Sequence, residues 1–357
     1  MNLSKKWLPT SLAAMLAVSL LSACGDESVD TKKAADVALK ESYSALWSGS
    51  YNYQGTALVS IKEDENALIG TKGGLTEEEA QEELRLVEEL KSPDSLQAFE
   101  ILKSGNMTFK GAFDGANMKS DIIVGLNYET DGVEASLSVP MLFEWKNSIS
   151  IYIDPKAVKA IGFLPPQLDG KLVKVTLDEL PNLTPSQIEK LKSGESFYKK
   201  FEKISQDYIN GLDAKLFKDV DLVDAAKTAG ATRLVQFTLT PEENAKASNQ
   251  MMEQILTTFA SEFELSADDI AEMKKEYQAS NKKTQLFMGN AVYNYGLNKD
   301  GQIVYIDYVQ SGKGAKHTGD IKFSITMNDF GKPTFTVDPS KQPVISFKEV
   351  MKMFFGG

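Results

Sequence analysis

Apolar and polar residues alternate with a period of two through much of this chain, in short runs separated by turn-forming residues. Met107–Phe113, Met118–Tyr128, Val133–Met141 and Phe143–Ile153 form one series, divided by Asp114-Gly115, by Asp131-Gly132 and by a corner at Pro140. Asp-Gly pairs supply the positive φ that two-residue hairpin turns require. Gln285–Leu297, Gln302–Gln310, Asp320–Met327 and Thr334–Val337 form a second series, with turns at Asn298-Lys299-Asp300-Gly301 and Asn328-Asp329-Phe330-Gly331. Tyr51–Lys62, Lys171–Leu177 and Thr232–Leu239 read as further strands. Tight turns between successive strands predict antiparallel meanders, because parallel neighbours need long crossovers.

A different period marks the helices. Ala34 to Trp47 carries Ala35, Val37, Leu39, Tyr43 and Leu46 at helical spacing. Thr76 and Glu79 fit a capping box for a helix with Leu84, Val87 and Leu90 on one face, interrupted near Ser92-Pro93 and resuming to Leu102. Thr184-Pro185 opens a helical region through Tyr208, closed by Asn210-Gly211. Thr240-Pro241-Glu242-Glu243 starts a long helix with Met251, Met252, Ile255, Leu256, Phe259 and Phe263, continued by a second cap at Ser266 as far as Tyr277. Ile345 to Phe355 reads as a short terminal helix. The order strand, capped acidic helix, meander occurs twice, at 51–178 and at 232–338. We therefore expect an α+β fold: an extensive antiparallel, curved β-sheet with helices covering one face. It is built as one large sheet or as two similar halves, 33–182 and 183–357.

The N-terminus carries the one explicit chemical signal. Lys5 and Lys6 precede an apolar run from Leu12 to Leu21, and Ser22-Ala23 lead into Cys24, the single cysteine. The run is too short for a membrane span, which needs about 20 apolar residues. The stretch resembles the bacterial lipoprotein signal, whose lipobox ends in a cysteine that is diacylated on sulfur, freed by cleavage in front of it, and usually acylated on its new amino group. That resemblance implies a signal peptide over 1–23, a lipidated tether over 24–32, and an extracytoplasmic body attached to the membrane through Cys24. Gly25 stands where an aspartate would resemble an inner-membrane retention signal. The expected destination is thus the outer membrane facing the periplasm in a host with two membranes, and otherwise the cell membrane.

Composition narrows the remaining chemistry. The net charge is −11, and loss of residues 1–23 removes two lysines and no acid, so the body is more acidic still. Nucleic acid is excluded as a partner on that ground, since phosphate binding requires Lys and Arg. A lone cysteine provides no disulfide and no thiolate metal site, and the lone histidine, His317, has no sequence partners for a triad. Gly312-Lys313-Gly314 lacks the Lys-Ser/Thr that opens a phosphate-loop helix. The chain is expected to be non-catalytic, without metal or cofactor.

Two functional readings follow. A lipobox followed by a helix, a meander and covering helices resembles, in architecture, the LolA/LolB/LppX-type envelope carriers. That resemblance implies an apolar cavity for acyl chains between a curved sheet and its helices. The candidate ligand-binding residues are Met251, Met252, Ile255, Leu256, Phe259 and Phe263, because flexible thioethers and aromatics adapt to irregular chains. Met351, Met353, Phe354 and Phe355 are candidates for a lid. The alternative is a structural lipoprotein that docks a protein partner, with the same side chains forming a packed core.

Overall fold

A computed structural model describes residues 33–63, 106–130, 133–146, 148–156, 165–180, 183–285, 288–313 and 317–355. The expected signal peptide, Cys24 and its tether, the capped helix of 76–102 and the Asp131-Gly132 turn lie outside the described residues. Within them, twelve strands form one sheet: β1 (Ser50–Glu63), β2 (Asn106–Asp114), β3 (Lys119–Thr130), β4 (Val133–Glu144), β5 (Ser150–Ile153), β6 (Leu172–Thr176), β7 (Phe217–Val220), β8 (Arg233–Leu239), β9 (Met288–Leu297), β10 (Ile303–Lys313), β11 (His317–Asn328) and β12 (Val344–Ser346). Their spatial order is β12-β6-β5-β4-β3-β2-β1-β11-β10-β9-β8-β7. All neighbours are antiparallel except β12 on β6. The two meanders therefore join at the β1–β11 ladder into a single curved sheet.

Seven helices accompany the sheet among the described residues: α1 (Ala35–Leu46), α2 (Pro185–Leu191), α3 (Gly194–Gly211), α4 (Asp224–Thr228), α5 (Pro241–Phe259), α6 (Ala267–Gln285) and α7 (Phe347–Phe355). The caps read from sequence form: Thr184 with Gln187 and Thr240 with Glu243 close reciprocal capping boxes, each with proline at the first helical position. The main core lies between the sheet and α1 and α3. Leu39, Tyr43 and Leu46 of α1 and Tyr198 and Ile209 of α3 meet Tyr51, Phe113, Phe237 and Tyr295 of the strands. Although α1 precedes the first meander, it packs over β7–β10 of the second. In the reverse sense, β12 returns from the C-terminal half to the β6 edge.

Two glycines let aromatic rings cross the central strands. A Cβ on Gly55 would lie 2.4 Å from the Phe109 ring and 2.2 Å from the Ser324 carbonyl oxygen. With hydrogen there instead, Phe109 lies across β1 and stacks on Phe323 of β11, centroids 5.1 Å apart. At Gly111 the Tyr53 ring crosses β2 and its hydroxyl donates to the Asp121 carbonyl oxygen at 2.7 Å. Gly55→Ala should cost about 1–3 kcal/mol through overpacking. A urea midpoint equal to wild type would show that Phe109 can leave this position freely.

Local hydrogen bonding explains where the outcome departs from the pattern. Pro140 does not make a corner: β4 runs through it to Glu144, and β5 begins at Ser150. Its carbonyl oxygen accepts from the Asp154 amide just past the end of β5, so its missing N–H faces the point where that ladder stops. The β2–β3 turn takes its positive φ at Met118 (50°), not at Gly115. Gly115 is required for space, since a Cβ would sit 2.2 Å from the Trp47 carbonyl oxygen. Thr334–Val337 is not a strand. Its amides are taken by side chains instead: Thr334 N donates to Asn52, and Thr336 N and Val337 N donate to the Asp121 carboxylate. The terminal helix begins only at Phe347, because Val344–Ser346 pairs with β6 first.

Candidate functional site

Register aligns the apolar side chains into rows that cross the sheet on the face bearing α1, α3 and α5. Nearest the helices, Tyr51, Phe113 and Ser120 align and are all buried. In the next row Met327, Tyr53 and Ile122 are buried while Met141 and Ile153 are half-buried. One step further, Ile325 and Phe109 are buried but Val124 and Val139 are half-buried. The row beyond, Phe323, Ala57, Met107, Leu126 and Leu137, is half-buried throughout. Past it, Val59 pairs with Ile321, which is 36% exposed. Burial thus falls steadily along the strands while the residues stay apolar. Five strands at a spacing of about 4.8 Å make this surface roughly 19 Å wide. β1 leaves at this end through Glu63, and β2 re-enters through Asn106.

On the β8–β10 side the same face is closed by a tyrosine layer. Phe237 stacks on Tyr293 at 4.4 Å, and Tyr43 meets Tyr295 edge-on at 6.4 Å. The hydroxyls of this layer are partnered: Tyr43 with Ser205 at 2.6 Å, and Tyr308 donating to Gln310 at 2.6 Å, with Gln310 donating on to the Gly289 carbonyl at 3.0 Å. Burial raises the phenol of Tyr308 to about 12, with a smaller contribution from Tyr208, and holds those of Tyr293 and Tyr295 well above the ordinary range. These phenols stay neutral donors and form a fixed wall beside the open rows. They offer no general base.

The Met/Phe helix is placed differently from the sheet surface. Ile255 and Phe259 are fully buried in a cluster with Leu191, Phe197, Phe201 and Ile204 of α2 and α3, with Met251 and Phe263 packed against it. Met252 and Leu256 face the other way, into a cluster with Met273 of α6. The stripe is divided between two neighbouring helices, and the sheet meets α5 through Ala247. The structure therefore brings these six residues into helix–helix packing, away from the open rows of β1–β4 and β11. Sequence reasoning did not single out Ala57, Met107, Leu126, Leu137 or Val139, because strand alternation looks alike whether the inward face is covered or bare. Among the described residues, no group of three or more His, Cys, Asp or Glu side chains converges on a point.

The opposite face of the same strands holds an open groove of about 580 Å³. Its lining is rich in hydroxyls, with Thr56, Thr108, Ser138, Ser324 and Thr326 beside Lys110, but also takes in Phe109 and Ile123. The two faces of β1–β4 are thus chemically distinct, hydroxyl-rich outside and apolar inside.

No family model matches the chain, and no curated protein matches it. Among solved structures, a chain described as lipid–protein interactions in lipovitellin aligns with 82% of this chain and 26% of its own length, at 9% identity and a TM-score of 0.25. At that score the likeness carries no argument. No helix among the described residues is long and apolar enough to cross a membrane.

Proposed function

We propose that this chain is a non-catalytic, membrane-anchored lipoprotein of the bacterial envelope, attached through acylated Cys24, that binds acyl chains of an apolar component on the open end of its inner sheet face. One observation supports this reading above the rest: the aligned rows Phe323–Ala57–Met107–Leu126–Leu137 and Val124–Val139, apolar yet only half-buried. Contiguous apolar surface of this extent marks a binding site. Methylene chains can fill such a surface without leaving polar groups unpaired, whereas a polar ligand cannot.

The test is native mass spectrometry of the chain from Gly25 onward, purified without detergent from bacteria. Lipid should co-purify, and Leu137→Asp with Val139→Asp should lower its occupancy about tenfold or more, since a charge on the surface opposes acyl burial. Stability should change by only about 1 kcal/mol, because both positions are half-exposed. Absence of lipid from wild type would overturn the reading in favour of a lipoprotein that docks a protein partner through this face. Unchanged occupancy in the double variant would move the site elsewhere.

A further inference from the structure

Register sets one row of inner-face side chains across the strands from β7 to β4, and the row changes character at its middle. From β7 to β11 it is aromatic: Phe217, Phe237, Tyr293, Tyr308 and Phe323. From β1 to β4 it is aliphatic: Ala57, Met107, Leu126 and Leu137. The aromatic half is a closed wall. Ring centroids are 5.2 Å apart for Phe217 and Phe237, 4.4 Å for Phe237 and Tyr293, and 4.9 Å for Tyr293 and Tyr308. Helices lie over it, α1 on β7–β10 and α5 on β8 and β9. The aliphatic half is half-buried throughout.

Ala57, the smallest member, stands where the two halves meet and makes a dip in the row. Phe323 flanks it on β11 and Met107 on β2. Two residues earlier on β1 the same face carries Gly55, and there the space is taken. The Phe109 ring reaches across from β2, its Cζ 2.4 Å from where a Cβ of Gly55 would stand, and stacks on Phe323 with the two planes 14° apart. Phe109 is 6% exposed, whereas Ala57 is only half-buried. The dip over Ala57 therefore ends at an aromatic ring, and a methylene chain lying along β1 runs into it.

Charge and burial distinguish the two ends of a ligand placed there. The inward positions from Tyr51 to Val59 on β1, Met107 to Phe113 on β2, Ser120 to Leu126 on β3 and Leu137 to Phe143 on β4 carry no charged side chain. A headgroup drawn toward Phe109 would lose its water and gain no ionic partner. In the other direction burial falls along the strands, until Ile321 beside Val59 is 36% exposed. A terminal methyl at Phe109 and a polar end at the rim is the orientation that leaves no charge unpaired. The lengths agree with it. From Ala57 to the end of β1 at Glu63 the strand extends about 20 Å. The hydrocarbon of one bilayer leaflet is about 15 Å deep, so a membrane acyl chain fits between the ring and the rim.

We propose that one acyl chain of the ligand lies along β1 over Ala57 with its terminal methyl against Phe109, and that Phe109 thereby limits the chain length the protein accepts. This rests on acyl binding at the inner face and adds the chain's place, direction and stop. Leu126, Leu137 and Val139 remain for further chains of the same lipid. The experiment titrates the full-length chain carrying Cys24→Ser with a homologous series of saturated lysophosphatidylcholines and reads bound probe by native mass spectrometry. In wild type, affinity should rise about fourfold for each added methylene up to a limiting length and then level off. Phe109→Ala should move that limit outward by roughly four carbons, since the vacated ring opens two further residues of β1, about 6.6 Å. Phe109→Leu should move it the same way by less, and decides where the alanine variant does not fold. Ala57→Phe should fill the dip and weaken every probe about tenfold or more. Leu137→Phe, in the same row but on β4, should leave the limit where it is. Urea midpoints near wild type show which variants are folded. A limit unmoved by either Phe109 variant, in a protein that binds the probes, would overturn the stop and leave acyl binding standing. A limit moved by Leu137→Phe as far as by Phe109→Ala would place the chain over β4 and overturn the proposal likewise. Absence of binding by wild type would overturn acyl binding itself, and this proposal with it.

Discussion

Replacing Phe259 by alanine should destabilise the chain by about 3–5 kcal/mol, the range for a fully buried aromatic. The ring is 1% exposed and sits against Phe197 and Phe201 with centroids 4.7 and 4.8 Å away. Three rings from two helices meet there, so the vacated volume is bounded by side chains that are themselves held by α3 and α5 and cannot collapse into it. Lys200 lies over the same ring at 5.6 Å while pairing with Glu262, which fixes the rim of the cluster. Phe259→Asp should be worse, because a carboxylate at that point would be buried without a donor. The half-buried residues Ala57, Met107, Leu126, Leu137 and Val139 are not among the members of this cluster, so Phe259→Leu, which keeps most of the volume, should leave any bound lipid in place. Urea unfolding and native mass spectrometry on the same preparations separate the two effects. A loss of lipid from Phe259→Leu at unchanged stability would mean that α5 lines the ligand after all.

Much of the architecture was legible because it rests on local rules. Two-residue alternation and turn residues gave the meanders, and Thr-Pro caps gave the starts of α2 and α5 to the residue. Pairing at a distance was not legible. Nothing in Tyr51–Lys62 announces that β1 will pair with β11 and join two meanders into one sheet, or that Ile345 will lie beside Val173. The Met/Phe stripe of α5 was visible as apolar, but apolar periodicity is the same whether the neighbour is a helix, a sheet or a ligand. Only the three-dimensional arrangement divides it between α3 and α6. The half-buried rows of the sheet were hidden for the complementary reason: Leu126 and Leu137 alternate like any inward residues, and their exposure depends on where the helices stop. The strap at 334–337 failed as a strand reading because its hydrogen bonds go to Asp121 and Asn52, side chains more than 200 residues away in sequence.

That strap carries the second large effect. Asp121 lies on the outer face of β3, fully buried, and its carboxylate accepts from Ala112 N at 2.6 Å, Thr336 N at 2.5 Å and Val337 N at 3.4 Å. It thereby ties β2 and β3 to the segment that covers Leu142, Tyr152 and Leu172 with Val337. Asp121→Ala should cost about 3 kcal/mol, since each buried amide left without an acceptor costs on the order of 1–3 kcal/mol and some will recover water. Asp121→Asn should recover only part of this, because one of its two terminal groups is a donor facing donors. Burial holds the Asp121 carboxyl above its ordinary value, against the opposing pull of the three amides and Lys119. The stability linked to that proton is therefore present below the unfolded-state value and lost as pH rises through the raised folded-state one. The stability difference between wild type and Asp121→Ala should accordingly narrow on going from about pH 4 to pH 7. Hydrogen exchange should locate the damage, with Thr336 and Val337 amides losing protection in the variant ahead of global unfolding. A gap that widens with pH, or protection at 336–337 that survives the substitution, would show that Asp121 is not what holds the strap.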